Sequence, residues 1–89
     1  MEVVGMGALV RLNLRQFAKI AESKGWTKAD GSVAITRAAE AIGCEPSTVS
    51  RILRGERACG GEFIANLLVA AKPWEFNDLF WVETEEDAA

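Results

Sequence analysis

The sequence predicts an all-α fold, a compact domain of five helices, and three observations predict it. Apolar residues recur at helical spacing, most plainly at Ile35, Ala38, Ala39 and Ile42, which follow the i, i+3, i+4, i+7 pattern of one buried face. Glycine and proline punctuate the chain where helices must stop and start: Gly43 ends that face and Pro46 opens the next one. The same spacing returns at Leu14–Ala21, Phe63–Ala71 and Phe76–Phe80, so the pattern runs through most of the 89 residues.

In chain order, residues 1–13 are read as an N-terminal arm, a strand or irregular chain. The glycines in Val3-Val-Gly-Met-Gly-Ala-Leu-Val leave these alternatives open. Asn13 is an N-cap candidate with Gln16 at the reciprocal position, so the spacing predicts a first helix with Leu14, Phe17, Ala18 and Ala21 on its inner face. Gly25 closes it. Residues 26–32 form a polar loop around Asp30-Gly31, and Ser32 is expected to cap the second helix. That helix ends at Gly43, where a left-handed residue is needed and glycine has no side chain to clash. Pro46 suits a first helical position because its missing N–H has no intrahelical partner there. Val49, Ile52 and Leu53 then face inward, while Ser47, Ser50, Arg51 and Arg54 lie mostly outside, and Gly55 ends the turn. After a loop over residues 56–61, Phe63, Ile64, Leu67, Leu68 and Ala71 define a fourth helix. Pro73 is expected to start a fifth, Trp74-Glu-Phe-Asn-Asp-Leu-Phe80, with Trp81 and Val82 extending its apolar run. Residues 14–82 thus form the domain and residues 83–89 an acidic tail, read as a solubilising end.

Size and composition narrow the function classes. A single small core leaves no room for a deep catalytic cavity. The chain has no histidine and only two cysteines, Cys44 and Cys59, so a four-ligand Cys/His zinc site is excluded. Nothing supplies a nucleophile–base pair or a glycine-rich phosphate loop, so the expectation is a non-enzyme without cofactor, metal or small-molecule substrate. No apolar run reaches the roughly 20 residues that span a bilayer. With no basic, apolar leader at Met1–Met6 and few thiols, a cytoplasmic protein without a membrane partner is expected.

The formal net charge is −3, which on its face argues against a polyanionic partner. Its distribution reverses that argument. Glu83, Glu85, Glu86 and Asp87 crowd the C-terminus, whereas Arg11 through Arg57 carry nine basic and five acidic side chains. The basic segment contains the two helices flanking Gly43.

A small residue at Ala39, a turn glycine at Gly43, then Val49 and Ile52 is the helix-turn-helix spacing of DNA-binding proteins. Ala38-Ala-Glu-Ala-Ile-Gly43, Pro46-Ser-Thr-Val-Ser-Arg-Ile-Leu-Arg-Gly-Glu-Arg57 and the closing helix resemble the Cro/C1-type (XRE-type) family of phage repressors and bacterial regulators. The resemblance covers about residues 14–82. It implies a lambda-repressor-like domain, although residues 25–33 are longer than the family's usual connection and Gly60-Gly61 stands where a proline is common.

What the resemblance implies for residues follows helix geometry. The helix at 46–54 is then the one that lies in the major groove, with Ser47, Ser50 and Arg51 as base-reading candidates. Arginine can donate two hydrogen bonds to guanine O6 and N7. Thr36, Arg37, Arg54 and Arg57 are candidates for the DNA backbone. Glu45 could accept from cytosine N4 or serve the cap. Plainer readings stand beside these. A lone surface arginine such as Arg37 is often only a solvated charge, Ser47 suits any first helical turn, and Cys44 fits simple packing. Trp26, Trp74 and Trp81 interleave no basic run and read as core or interface residues.

The resulting expectation is a sequence-specific regulator of transcription that binds double-stranded DNA, a repressor of the temperate-phage type acting by promoter occlusion. One such helix reads only a few base pairs, so a homodimer on a palindromic operator is expected, with Phe80, Trp81 and Val82 as the interface. Residues 3–10 are the competing interface. The alternative function is a protein-binding module on the same fold, an antitoxin-like or anti-repressor partner.

Overall fold

The structure, a computed structural model, describes residues 8–84. The first seven residues of the expected arm, and residues 85–89 of the expected tail, lie outside the described residues. The chain runs β1 (Leu9–Leu12), α1 (Leu14–Lys24), α2 (Ile35–Ile42), α3 (Pro46–Leu53), α4 (Gly61–Ala70), α5 (Phe76–Leu79) and β2 (Phe80–Glu83). Among the described residues there are five helices, but the domain is not all-α. Strands β1 and β2 pair antiparallel in the register Leu9↔Glu83, Val10↔Val82, Arg11↔Trp81 and Leu12↔Phe80.

This sheet corrects the expected fifth helix, and the causes are local. Helix α5 does not begin at Pro73. It begins at Phe76, where the Glu75 side chain accepts from the N3 backbone and the Asp78 carboxylate accepts from the Glu75 N–H at 2.9 Å. It also stops early, because the Leu79 carbonyl accepts from the Asn13 N–H at 2.7 Å and so starts the ladder. Aromatic and β-branched residues then favour extended chain over another helical turn. The Arg11 guanidinium closes the outer end of the ladder on Glu83 at 3.0 Å.

The same Asn13 N–H explains why the cap of α1 is half of what the sequence suggests. Asn13 Oδ1 accepts from the Gln16 N–H at 3.1 Å, but the N–H that Gln16 was to satisfy is already committed to Leu79. The inner face of α1 is Phe17, Ile20 and Ala21, with Leu14 and Ala18 exposed, so the buried stripe is rotated from the expected one by the addition of Ile20. Gly25 closes the helix at φ 82°.

Residues 26–34 fold back on themselves. Asp30 Oδ1 accepts from both the Ser32 N–H and the Ser32 hydroxyl, and Thr27 bridges Val33. Ser32 is therefore spent on the turn and does not cap α2, whose N-cap is Ala34 with no side-chain bond. The Ala34 N–H closes the excursion on the Trp26 carbonyl at 2.7 Å.

Helices α2 and α3 pack on each other across the three-residue turn Gly43–Glu45. Gly43 has φ 91°, and both its N–H and that of Cys44 reach the Ala39 carbonyl. Ala38, Ala39 and Ile42 from α2 and Val49 and Ile52 from α3 are buried, with Ile35 and Leu53 half-buried. Helix α4 lies against α2 and contributes Phe63 and Leu67. Phe17, Ile20, Val49, Leu67 and Leu79 are the fully buried centre, and no polar or charged residue among those described is buried with them. No helix among the described residues is long and apolar enough to cross a membrane.

Candidate nucleic-acid interface

The inward face of α3 fixes the outward one. With Val49 and Ile52 sealed against α2, the 100° step per residue places Ser47, Arg51 and Arg54 together on the opposite side. Ser47 and Arg51 are exposed, and among the described residues Arg51 has no ion pair or side-chain hydrogen bond. Ser50 sits at the edge of this face, half-buried, and its hydroxyl accepts from Arg54 Nη1 at 2.7 Å. The guanidinium of Arg54 also grips Glu56 through two bonds, Nε to Oε2 at 3.0 Å and Nη2 to Oε1 at 3.2 Å. This fork-to-fork contact holds the Glu56 carboxyl below its ordinary range and raises the Arg54 guanidinium further.

Four of the seven candidate contacts thus share one face: Ser47, Ser50, Arg51 and Arg54. Two of the four are already tied to each other. The sequence reading missed Glu56 as the partner of Arg54. The available signal was an opposite charge two residues beyond Arg54, just past the helix end.

The remaining candidates lie apart. Arg57 is exposed and lines a 420 Å³ cleft with Thr48 and Ile52 of α3, the Gly43–Glu45 turn and the start of α4. Glu45 and Glu62 border the same cleft, so its charge is mixed. Thr36 is exposed on the first turn of α2. Arg37 donates from Nη1 to the carbonyls of Gly25 and Thr27, each at 3.2 Å, so its guanidinium clamps the long loop onto α2. That bond set was not legible from spacing, because it depends on how the loop folds back.

The expected interface at the end of the chain divides. Phe80 is only 4 % exposed and belongs to the core of its own domain, whereas Trp81 and Val82 are 47 % and 49 % exposed. Phe80 is inside because it faces Leu12 across the ladder and lies 5.1 Å, ring to ring, from Phe76. Trp26 is buried against Phe17, and Trp74 is half-buried. Burial pushes the Cys59 thiol up to about 11, and burial followed by the charge of Glu62 also raises Cys44. Neither thiol is an activated nucleophile. Among the described residues no group of three or more His, Cys, Asp or Glu side chains could hold a metal ion.

Comparison of the chain with protein-family models, with curated proteins and with solved structures finds no match.

Proposed function

We propose that the chain is a sequence-specific DNA-binding regulator, that α2 and α3 form a helix-turn-helix of the lambda-repressor-like kind, and that α3 enters the major groove of duplex DNA. The observation that carries this reading is the outward face of α3. It presents Ser47 and Arg51 side by side, with no ion pair or side-chain hydrogen bond to Arg51 among the described residues and only the charge of Glu56 nearby, on a helix whose opposite face is locked into the core. An exposed arginine on a rigid helix is suited to bidentate donation to guanine. Arg54 and Arg57 follow at the helix end, where a groove-bound helix passes the phosphates. The nine basic and five acidic side chains between Arg11 and Arg57 give this part of the chain the sign a polyanion needs, despite the acidic total.

A single α3 spans few base pairs, so two protomers on a palindromic site would supply the specificity, and occupation of a promoter would exclude polymerase. The test is titration of labelled duplexes, selected from a random pool, at several salt concentrations. Affinity should fall steeply with salt, and the selected sequences should share a two-fold motif. Absence of binding even at low salt would replace this reading with the protein-binding module.

A further inference from the structure

Arg57 and Glu62 border one cleft and make no ion pair with each other. The 420 Å³ hollow, between the Gly43–Glu45 turn, α3 and the start of α4, falls within the range of about 300–1,000 Å³ typical of small-molecule sites. Its polar lining is Glu45, Thr48, Arg57, Glu62 and Asn66. Among the described residues none of these five side chains makes a hydrogen bond or an ion pair. For the exposed charges that is ordinary. For Asn66 it is not, because its side chain is half-buried. The Asn66 Nδ2 lies 3.9 Å from where a Cβ on Gly43 would stand, so the amide sits over the turn with two donors and an acceptor unmet by the protein. Glu62 approaches from α4, near enough for its charge to act on the Cys44 thiol. Ile52 and Phe63 form the apolar part of the wall. At Gly60 and Gly61 the wall is open, since a Cβ on either would meet nothing within 4 Å.

The charges around this cleft select its occupant. A simple anion would gain Arg57 but face two carboxylates. A simple amine would gain the carboxylates but face the guanidinium. A molecule that carries both signs meets each with its opposite and adds no net charge. We propose that the cleft binds an α-amino acid with an apolar side chain. Arg57 and the Asn66 amide hold its carboxylate, Glu62 and Glu45 hold its ammonium group, and its side chain lies on Ile52 and Phe63. Only the consequence for DNA rests on the function proposed above. An occupant that holds Arg57 removes a phosphate contact, so the amino acid should lower duplex affinity severalfold.

The site itself is tested without DNA, so that its failure is distinct from failure to bind DNA. Leucine, isoleucine, valine, methionine and phenylalanine are titrated separately into the labelled protein, and backbone amide shifts are followed by NMR. At least one should shift residues 43–45 and 60–63 and saturate in the millimolar range. For leucine, the comparison is with 3-methylbutylamine, which lacks the carboxylate, and 4-methylpentanoate, which lacks the ammonium group. Each should bind at least about tenfold more weakly than leucine, because a charge-assisted contact is lost. Glu62→Gln should weaken leucine and the amine while leaving 4-methylpentanoate unchanged, and Arg57→Gln should do the converse. Both residues are exposed and unbonded among the described residues, so both variants should fold. No saturable shift at the cleft with any of the five amino acids, or equal binding of leucine and its two truncated forms, overturns the proposal.

Discussion

Replacing Arg51 by alanine separates the reading of bases from the holding of phosphates. Arg51 is exposed and makes no ion pair or side-chain hydrogen bond among the described residues, and both it and Glu56, the acid its charge reaches, are solvent-exposed, so the substitution should leave the fold and the thermal midpoint unchanged. A bidentate arginine–guanine contact is worth about 1–3 kcal/mol of discrimination. Two protomers on a palindrome lose it twice, about 2–6 kcal/mol on the cognate duplex, or roughly 30-fold to beyond 10,000-fold in affinity. Binding to non-cognate duplex should hardly change, because that affinity comes from phosphate contacts. Arg57→Ala is the counterpart. It should weaken cognate and non-cognate binding together and lower the log–log salt slope by about one per protomer. Fluorescence anisotropy with cognate duplex, scrambled duplex and a set of single-position variants measures all three quantities. Uniform loss on every sequence in Arg51→Ala, with no relaxed position in the half-site, would refute base reading by this residue.

Other outcomes follow from the same contacts. Glu56→Gln releases the bidentate partner of Arg54 and removes a negative charge beside α3, so duplex affinity should rise severalfold with a steeper salt slope, as the same anisotropy titration would show. Gly43→Ala should destabilise by about 1–2 kcal/mol, read from denaturant midpoints. The nearest atom to an added Cβ there is Asn66 Nδ2 at 3.9 Å, so the cost is conformational and Gly43→Asn should lose less. Leu79→Ala empties a fully buried site between α1 and the sheet and should cost about 2–5 kcal/mol, a large share of the stability of so small a domain. Because the Cys59 thiol lies at about 11 in the fold and near its ordinary value of roughly 8.5 when unfolded, its contribution is intact below about pH 8.5 and is lost as pH rises toward 11. Urea melts of the parent and of Cys59→Ala across that window should converge.

The helices at the centre of the chain were legible because each local signal agreed with the next. Gly43, Pro46 and the spacing of Ala38, Ala39, Ile42, Val49 and Ile52 all specify the same two helices, and burial in the structure follows that pattern. The C-terminal run was misread because Phe80-Trp-Val has no period to separate a last helical turn from a strand. What decides it is a partner about seventy residues away, Leu9–Leu12, which local spacing cannot reveal. Ser32 was misassigned for a similar reason: an Asp two residues earlier competes for its hydroxyl and N–H, and the turn wins over the cap. On the candidate site, the direction of α3 could be read in advance, but the pairing of Arg54 with Glu56 and the clamp from Arg37 could not. Both are made beyond helix ends, where spacing no longer fixes direction.

The sheet bears on α3 as well. Trp81 and Glu83 line a 220 Å³ hollow with Arg11, Leu14, Ile52, Gly55 and Arg57, so the outer face of the strand pair borders the end of α3. The Glu83 carboxylate, bonded to Arg11 at 3.0 Å, is therefore a negative charge on the face that carries Arg57. A phosphate brought to Arg57 meets that carboxylate across the hollow. Glu83→Gln should strengthen duplex binding, and the gain, measured by anisotropy as salt is varied, should shrink as ionic strength rises. An unchanged affinity at low salt would mean that the strand pair and the DNA contacts act independently.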